Sequence, residues 1–338
     1  MSANQKILDG IKQALNEGGK VTIDLREAST LTGSGDGIGG RTYFDDAFTA
    51  LRYANPFRKV ARNIKTPNSS AVQFVAKTGN STGANPWNPN ATPDTGSPNT
   101  ATSYWVMPTR IINAQLPIRI AALDDINGLQ DAVMKDLALE FSQQEAASMG
   151  ANNDQSGSTT TTTGGTYGLR GLGVYASGSA AFGTSGTAIT NGIHTIANVN
   201  FTTGDLDHET LSAMASALPG QYWDGAAWMM TPAAIQELRD YVHGGTNQAS
   251  YAFVENGADN AGALTHVFGF PVIVNPYLPA TNPVYLANWE RFMTIADVEE
   301  FTVQVFEQTA PGFVTLYAEK RLASTVLDPF AGVRSTAT

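Results

Sequence analysis

The sequence predicts a mixed α+β protein in which two lobes carry extended arms. Apolar and polar residues alternate strictly over 112–120, as in a strand with one covered face. A helical stripe runs through Ile126, Leu129, Val133, Leu137 and Phe141. Ahead of both, from Gly79 to about Ala101, lies a stretch of Gly, Asn, Pro, Thr and Ser in which Trp87 is the only large apolar residue.

Taken in order, Ile7, Leu8, Ile11 and Leu15 stand at helical spacing and Gly18-Gly19 ends the pattern, which predicts a short amphipathic helix on an arm. Residues 21–25 alternate like a strand, and the glycines from Gly33 to Gly40 form a joint before Tyr43, Phe44 and Phe48. An arm that leaves its own core must bury those aromatics on something else. The run 71–77 also reads as a strand, and with 112–120 it makes a hairpin whose tip is the 79–101 stretch. A connection of that length without internal structure is functional or disordered far more often than part of a compact core.

From 124 to 149 the pattern is helical, with Asp124 or Asp125 able to cap its start and Gly150 to end it. At 1.5 Å per residue this spine would span roughly 40 Å. The Thr run 159–163 reads as a surface loop. A second lobe follows, from about 167 to 279, of mixed helices and strands. Asp207 or Asp205 caps a helix carrying Leu211, Met214 and Leu218; residues 226–230 form a buried strand; Thr231-Pro232 opens a helix with Ile235, Leu238 and Val242 that Gly244-Gly245 ends. Residues 271–274 form another buried strand, and a closing hairpin joins Phe301, Val303 and Val305 to 313–318 through Pro311-Gly312.

With 338 residues and 42% hydrophobic content the chain can build two compact lobes. Thirty acidic residues against 20 basic ones, a net charge of −10 and no cationic run argue against tight binding to phosphate backbones. The absence of cysteine excludes disulfides, thiolate metal sites and cysteine nucleophiles. Residues 1–16 lack the features of a signal peptide, and no stretch approaches the length of an apolar membrane span, so synthesis and folding in a cytoplasm are expected.

Several patterns could carry chemistry. Gly35, Gly37 and Gly40 spell a dinucleotide-binding spacing, but residues 27–34 intervene after the preceding strand and 55–59 supply no acid, so they read as a joint. Asp205, Asp207, His208 and Glu209 are the most metal-like cluster, yet neighbours on a helix diverge and no second histidine follows at the fourth position; helix-cap acids explain them. His194, His243 and His266 are scattered. Trp223, Trp228 and Trp289 could stack on a sugar or base but are expected in the core. No nucleophile elbow, P-loop or zinc-helix motif occurs. No catalytic, cofactor-binding or metal-binding residue is assigned, and no cofactor is expected.

The order of parts resembles the major capsid proteins of tailed bacteriophages with the Hong Kong 97-type fold. Phe268-Gly269-Phe270-Pro271-Val272 is similar to the family's turn into a strand, Trp228-Met229-Met230-Thr231-Pro232 to its strand-to-helix junction, and 299–307 with 313–323, including Glu319-Lys320-Arg321-Leu322-Ala323, to its closing hairpin. The resemblance implies an N-terminal arm at 1–60, an extended β-hairpin loop at 61–120, a peripheral domain with the long spine helix at 121–165 and 291–325, an α/β axial domain at 166–290, and a C-terminal tail at 326–338. It further implies a non-enzymatic subunit that self-assembles into hexamers and pentamers of an icosahedral shell around phage double-stranded DNA. Such a shell is a virion component assembled in the host cytoplasm, with a portal at one vertex, a scaffolding protein during assembly and a decoration protein as a further candidate partner.

The family's founding member welds its shell by an isopeptide bond from an extended-loop lysine to an asparagine in the closing hairpin, promoted by a glutamate. Glu319 matches that glutamate, whereas Gly312 stands at the asparagine position, so Lys65 and Lys77 have no matching acceptor and no crosslink is expected. Two other readings remain at this level: an encapsulin-type compartment, which shares the fold but encloses enzymes, and a carbohydrate-binding or hydrolytic surface protein.

Overall fold

At Asn55 the side-chain Oδ1 accepts from the Phe57 N–H at 2.9 Å, starting the single turn α1 (Phe57–Val60), which leads into β1 (Arg62–Lys65). The structure, a computed structural model, describes residues 54–66, 70–80, 100–119, 129–240, 265–310 and 313–338, all within one compact unit, Phe44–Thr338. The expected arm helix, the glycine joint, the caps at Asp124 and Asp125, the helix end at Gly244-Gly245 and the Pro311-Gly312 turn lie outside the described residues.

After β1 come β2 (Ala71–Asn80), β3 (Thr100–Pro108), β4 (Arg110–Arg119) and the spine helix α2 (Leu129–Gly150). The second lobe contains β5 (Ala176–Gly178), β6 (Thr195–Phe201), α3 (His208–Ala217), β7 (Ala227–Met230), α4 (Pro232–Asp240), β8 (His266–Val267), β9 (Phe270–Val274) and β10 (Val284–Ala287). The chain closes with the turn α5 (Trp289–Phe292), the long strands β11 (Met293–Ala310) and β12 (Phe313–Val326), and β13 (Gly332–Ala337). One sheet has the order β1-β11-β12-β4, a second β5-β6-β13-β10-β7-β9-β8, and β2 pairs with β3 alone.

The second sheet is the main core. Every residue of β7 and β10 is buried, as continuous apolar runs covered on both faces require. The two indoles buried here keep their N–H groups satisfied: Trp228 Nε1 donates to the Val267 carbonyl at 3.0 Å and Trp289 Nε1 to that of Ala227 at 2.9 Å. Both expected caps form. Asp207, rather than Asp205, accepts from the Thr210 N–H at 2.7 Å at the start of α3, and Thr231 Oγ1 accepts from Ala234 N–H at 3.2 Å at the start of α4.

Four expectations change. Strand 71–77 pairs not with 112–120 but with β3, Phe74 standing opposite Trp105, while β4 pairs with β12. The pattern of β3 explains this, since Ser103, Trp105 and Met107, at every second position, are buried and form one covered face. The segment expected as a tail, 326–338, supplies β13 in the middle of the large sheet, parallel to β6 and antiparallel to β10. Its short apolar content hid this: Val333 is its one large aliphatic, but Gly332 lets the strand pass against Phe292, where a Cβ would come within 2.6 Å of the ring. Strand β9 is only half-buried, because beyond it the sheet ends in the two-residue β8. Trp223 is 50% exposed rather than in the core.

The spine helix packs Leu137 and Phe141 on Ala318 of β12. Continuing that spacing by four places Glu145 and then Met149 inside, so a carboxylate sits at a core position with no side-chain exposure. It survives there by being paired. Glu145 Oε2 accepts from Arg58 Nε at 2.6 Å, Oε1 binds the Lys320 ammonium, and Asn55 Nδ2 reaches Oε2 at 3.4 Å. Arg58 also grips Asp297 through both terminal nitrogens, each at 2.8 Å. Burial opposes the charge on Arg58, but its bonds to Asp297 and Glu145 outweigh this and raise the guanidinium above its ordinary value. For Asp297, burial pushes the carboxyl up and Arg58 more than reverses it, holding it below the usual range. Its contribution is therefore present above the ordinary carboxylate pKa and lost as pH falls through the depressed value.

Replacing Glu145 by Ala strands Arg58 and Lys320 partly buried without their shared partner. A loss of about 3 kcal/mol in urea unfolding of the purified subunit is expected. A loss below about 1 kcal/mol, the range of an exposed ion pair, would show that the cluster is not what joins these elements.

Candidate assembly surfaces

The β2–β3 hairpin has two unlike faces. Inward, Val72, Phe74, Trp105 and Met107 pack with Ala296 of β11 and Ala323 of β12. The Phe74 and Trp105 rings stack with centroids 5.9 Å apart. Outward, Val75 and Tyr104 stand directly opposite each other, 61% and 39% exposed. An apolar cross-strand pair held open to solvent is surface available to another chain.

Trp105 fixes the root of the hairpin to both lobes. Its Nε1 donates to Thr325 Oγ1 on β12 at 3.1 Å, and Gly192 passes so closely that a Cβ there would lie 2.3 Å from the indole. The Gly186 N–H bonds the neighbouring Tyr104 carbonyl at 2.8 Å. Edge-on to the indole at 4.5 Å sits the fully buried His194, flanked by Phe182 at 5.3 Å and Tyr175 at 6.1 Å. Its Nδ1 accepts from the Gly183 N–H at 2.9 Å. Burial first, and the nearby Arg170 charge second, lower its pKa to about 4, against a weak opposing effect of the Val326 backbone.

Beside this joint opens a cavity of about 950 Å³ between β2 and the second lobe. Its charged lining is balanced, with Arg62, Lys77 and Arg291 against Asp224, Glu290 and Asp328. Such a recess selects no ligand of one sign. On the first sheet, the face turned from α2 carries Ile111, 51% exposed, and Phe306 in edge contact with Tyr317.

The residues whose types suit catalysis or metal binding do not come together. Asp207 serves as a helix cap, His208 sets its ring against Phe268 at 5.1 Å, and His266 is exposed on β8. Among the described residues no three metal-ligating side chains cluster. His243 and the glycines 35, 37 and 40 lie outside the described residues. Phe268 and Gly269 form the two-residue turn from β8 to β9, both with positive φ, at 49° and 82°. This turn matches strand twist, but a phenylalanine in it is strained and 43% exposed. Glu319 accepts from the Tyr317 hydroxyl at 2.6 Å, and Asn113 stands opposite it on β4. Gly312 lies outside the described residues.

Sequence reading missed Glu145 and Trp105. Helical spacing beyond Phe141 leads to the first, and the alternation 103, 105, 107 to the second. Because His194 is depressed in the fold, the unfolded chain protonates first as pH drops below 6.5, and stability falls progressively down to about pH 4. The total is about 3 kcal/mol. A His194→Gln variant, which keeps an acceptor for Gly183, is expected to show a flatter dependence of unfolding free energy between pH 6.5 and 4. Equal slopes would exclude His194 as the acid-sensitive group.

The phage capsid family matches residues 43–334. No curated protein sequence matches the chain. Among solved structures, the capsid of a native GTA particle, computed with C5 symmetry, is 18% identical with a TM-score of 0.71, covering 93% of this chain and 100% of that one. The capsid of cyanophage P-SCSP1u is 13% identical with a TM-score of 0.56, covering 94% and 97%. The mature capsid of bacteriophage PhiM1 is 9% identical with a TM-score of 0.54, covering 94% and 93%. With its α+β fold of the Hong Kong 97 type, the chain belongs to the phage capsid family, whose members are structural shell proteins rather than enzymes.

Proposed function

We propose that this chain is the major capsid protein of a tailed phage, assembling into hexamers and pentamers of an icosahedral shell around double-stranded DNA. The family match across 43–334 carries this reading. The hairpin supports it: one face is locked to its own subunit through Trp105, and the opposite face presents Val75 and Tyr104 outward. Many modest contacts of this kind, repeated around a closed lattice, sum to a stable shell while each remains weak enough to correct errors.

Residues 1–60 act as an N-terminal arm and 61–120 as the extended loop. Residues 121–165 with 291–325 form the peripheral domain and 166–290 the axial domain, to which β13 adds a central strand. The net charge of −10 suits a wall that does not trap incoming DNA. A scaffolding protein guides assembly in the host cytoplasm, a portal occupies one vertex, and a decoration protein is a further partner. Among the described residues no helix is long and apolar enough to cross a membrane.

Electron microscopy of the overexpressed chain, with and without its scaffold, is expected to show closed particles tens of nanometres across. Particles filled with enzyme instead of nucleic acid would favour an encapsulin-type compartment, and a monodisperse monomer under both conditions would overturn the shell reading. On a denaturing gel, mature particles are expected to run as monomers, since Gly312 has no side-chain carboxamide to accept a lysine. A covalent ladder would contradict this and direct attention to Asn113, opposite Glu319.

A further inference from the structure

The large sheet contains a buried cation whose counter-charge no described residue supplies. Arg334, on β13, is 3% exposed and lies in register between Tyr285 of β10 and Asn198 of β6. Only its Nη2 finds an acceptor, Ser177 Oγ at 2.5 Å. Its Nε and Nη1 are buried with no acceptor, and the hydroxyl of the fully buried Tyr285 beside it, which can only accept from the guanidinium, has no acceptor for its own hydrogen. No carboxylate among the described residues pairs with it.

The other arginines near the core are treated differently. Arg58 is clamped between two carboxylates. Arg170, also without a carboxylate partner among the described residues, gives both terminal nitrogens to the carbonyls of Asn191 and Ile189 and leaves only its Nε without an acceptor. An arginine stays protonated even when buried, so the charge on Arg334 cannot be shed to relieve the desolvation penalty. Left uncompensated, a buried charge is among the most destabilising features a core can hold.

The unpaired groups also share a polarity. The Nε–H, both Nη1 hydrogens and the Tyr285 O–H are all donors. Burial pushes the Tyr285 phenol up to about 12, against the opposing charge and hydrogen bond of Arg334, so it remains a protonated donor. No other buried side-chain oxygen on β5, β6, β10 or β13 is without a partner. A water molecule placed here would accept from two donors and then need acceptors for its own hydrogens. An acceptor-only ligand satisfies the donors and neutralises the charge together.

We propose that Arg334 and Tyr285 hold a small inorganic anion of halide type within the large sheet. The anion is a structural counter-ion that completes the lobe. A ligand bound by the folded chain and not by the unfolded one raises stability in proportion to the logarithm of its concentration.

Bromide is the probe. Thermal unfolding of the full-length protein is followed as sodium bromide replaces sodium gluconate at constant ionic strength. The wild-type midpoint is expected to rise and saturate, with the half-saturating bromide concentration shifted up about tenfold in Tyr285→Phe and the response absent in Arg334→Met. Bromide-soaked crystals are expected to show an anomalous peak between Arg334 Nε and the Tyr285 hydroxyl. If Arg334→Met fails to fold, the Tyr285→Phe titration and the anomalous map still decide. Density without anomalous signal, meaning water, or equal bromide responses in wild type and Tyr285→Phe, would overturn the proposal.

Discussion

Glu145 occupies a position where helical geometry demands an apolar residue, and much of the surrounding architecture answers to that placement. A carboxylate with no side-chain exposure must be paired, and its partners come from distant parts of the chain: Arg58 from α1 and Lys320 from β12, with Asp297 of β11 completing the cluster through Arg58. Spine helix, closing hairpin and the end of the N-terminal segment are thereby held in one geometry. Leucine at this position would supply cohesion without direction; the forked guanidinium admits few arrangements.

Around that cluster the two sheets do different work. The large sheet is closed by continuous apolar strands and capped helices, as a stable core should be. The smaller sheet is built on β11 and β12, whose pairing contains register shifts near Asp297–Thr302 and Phe306–Ala310. Such irregularities increase local twist and let a long ribbon curve. The β2–β3 hairpin is anchored at one end by Trp105, where indole, His194 and Thr325 meet, and is free to present its other face. A rigid root with an exposed outer surface is what a subunit needs if its contacts are to be made with neighbours.

The candidate site was legible where residues act locally. Thr231-Pro232 and Asp207 announce helix starts because capping is settled within four residues. The hairpin partner of 71–77 was not legible, because β3 and β4 both alternate and the choice between them depends on Trp105 finding a pocket lined by Gly192, His194 and Thr325. Trp223 shows the converse: its composition suits a core, yet the turn after α3 leaves it at the surface with its N–H bonded to Leu218.

By itself the sequence determined the α+β class, the spine helix, the cap residues, the absence of cysteine chemistry and the order of parts that resembles a phage shell subunit, since periodicity, capping and composition are properties of neighbouring residues. Tertiary structure alone decided that β13 lies mid-sheet, that Glu145 is a buried junction, and that Arg334 stands without a counter-charge among the described residues. Those outcomes rest on which distant groups share a low-dielectric interior, and pairing across 87 to 239 residues leaves no local trace in the pattern of the chain.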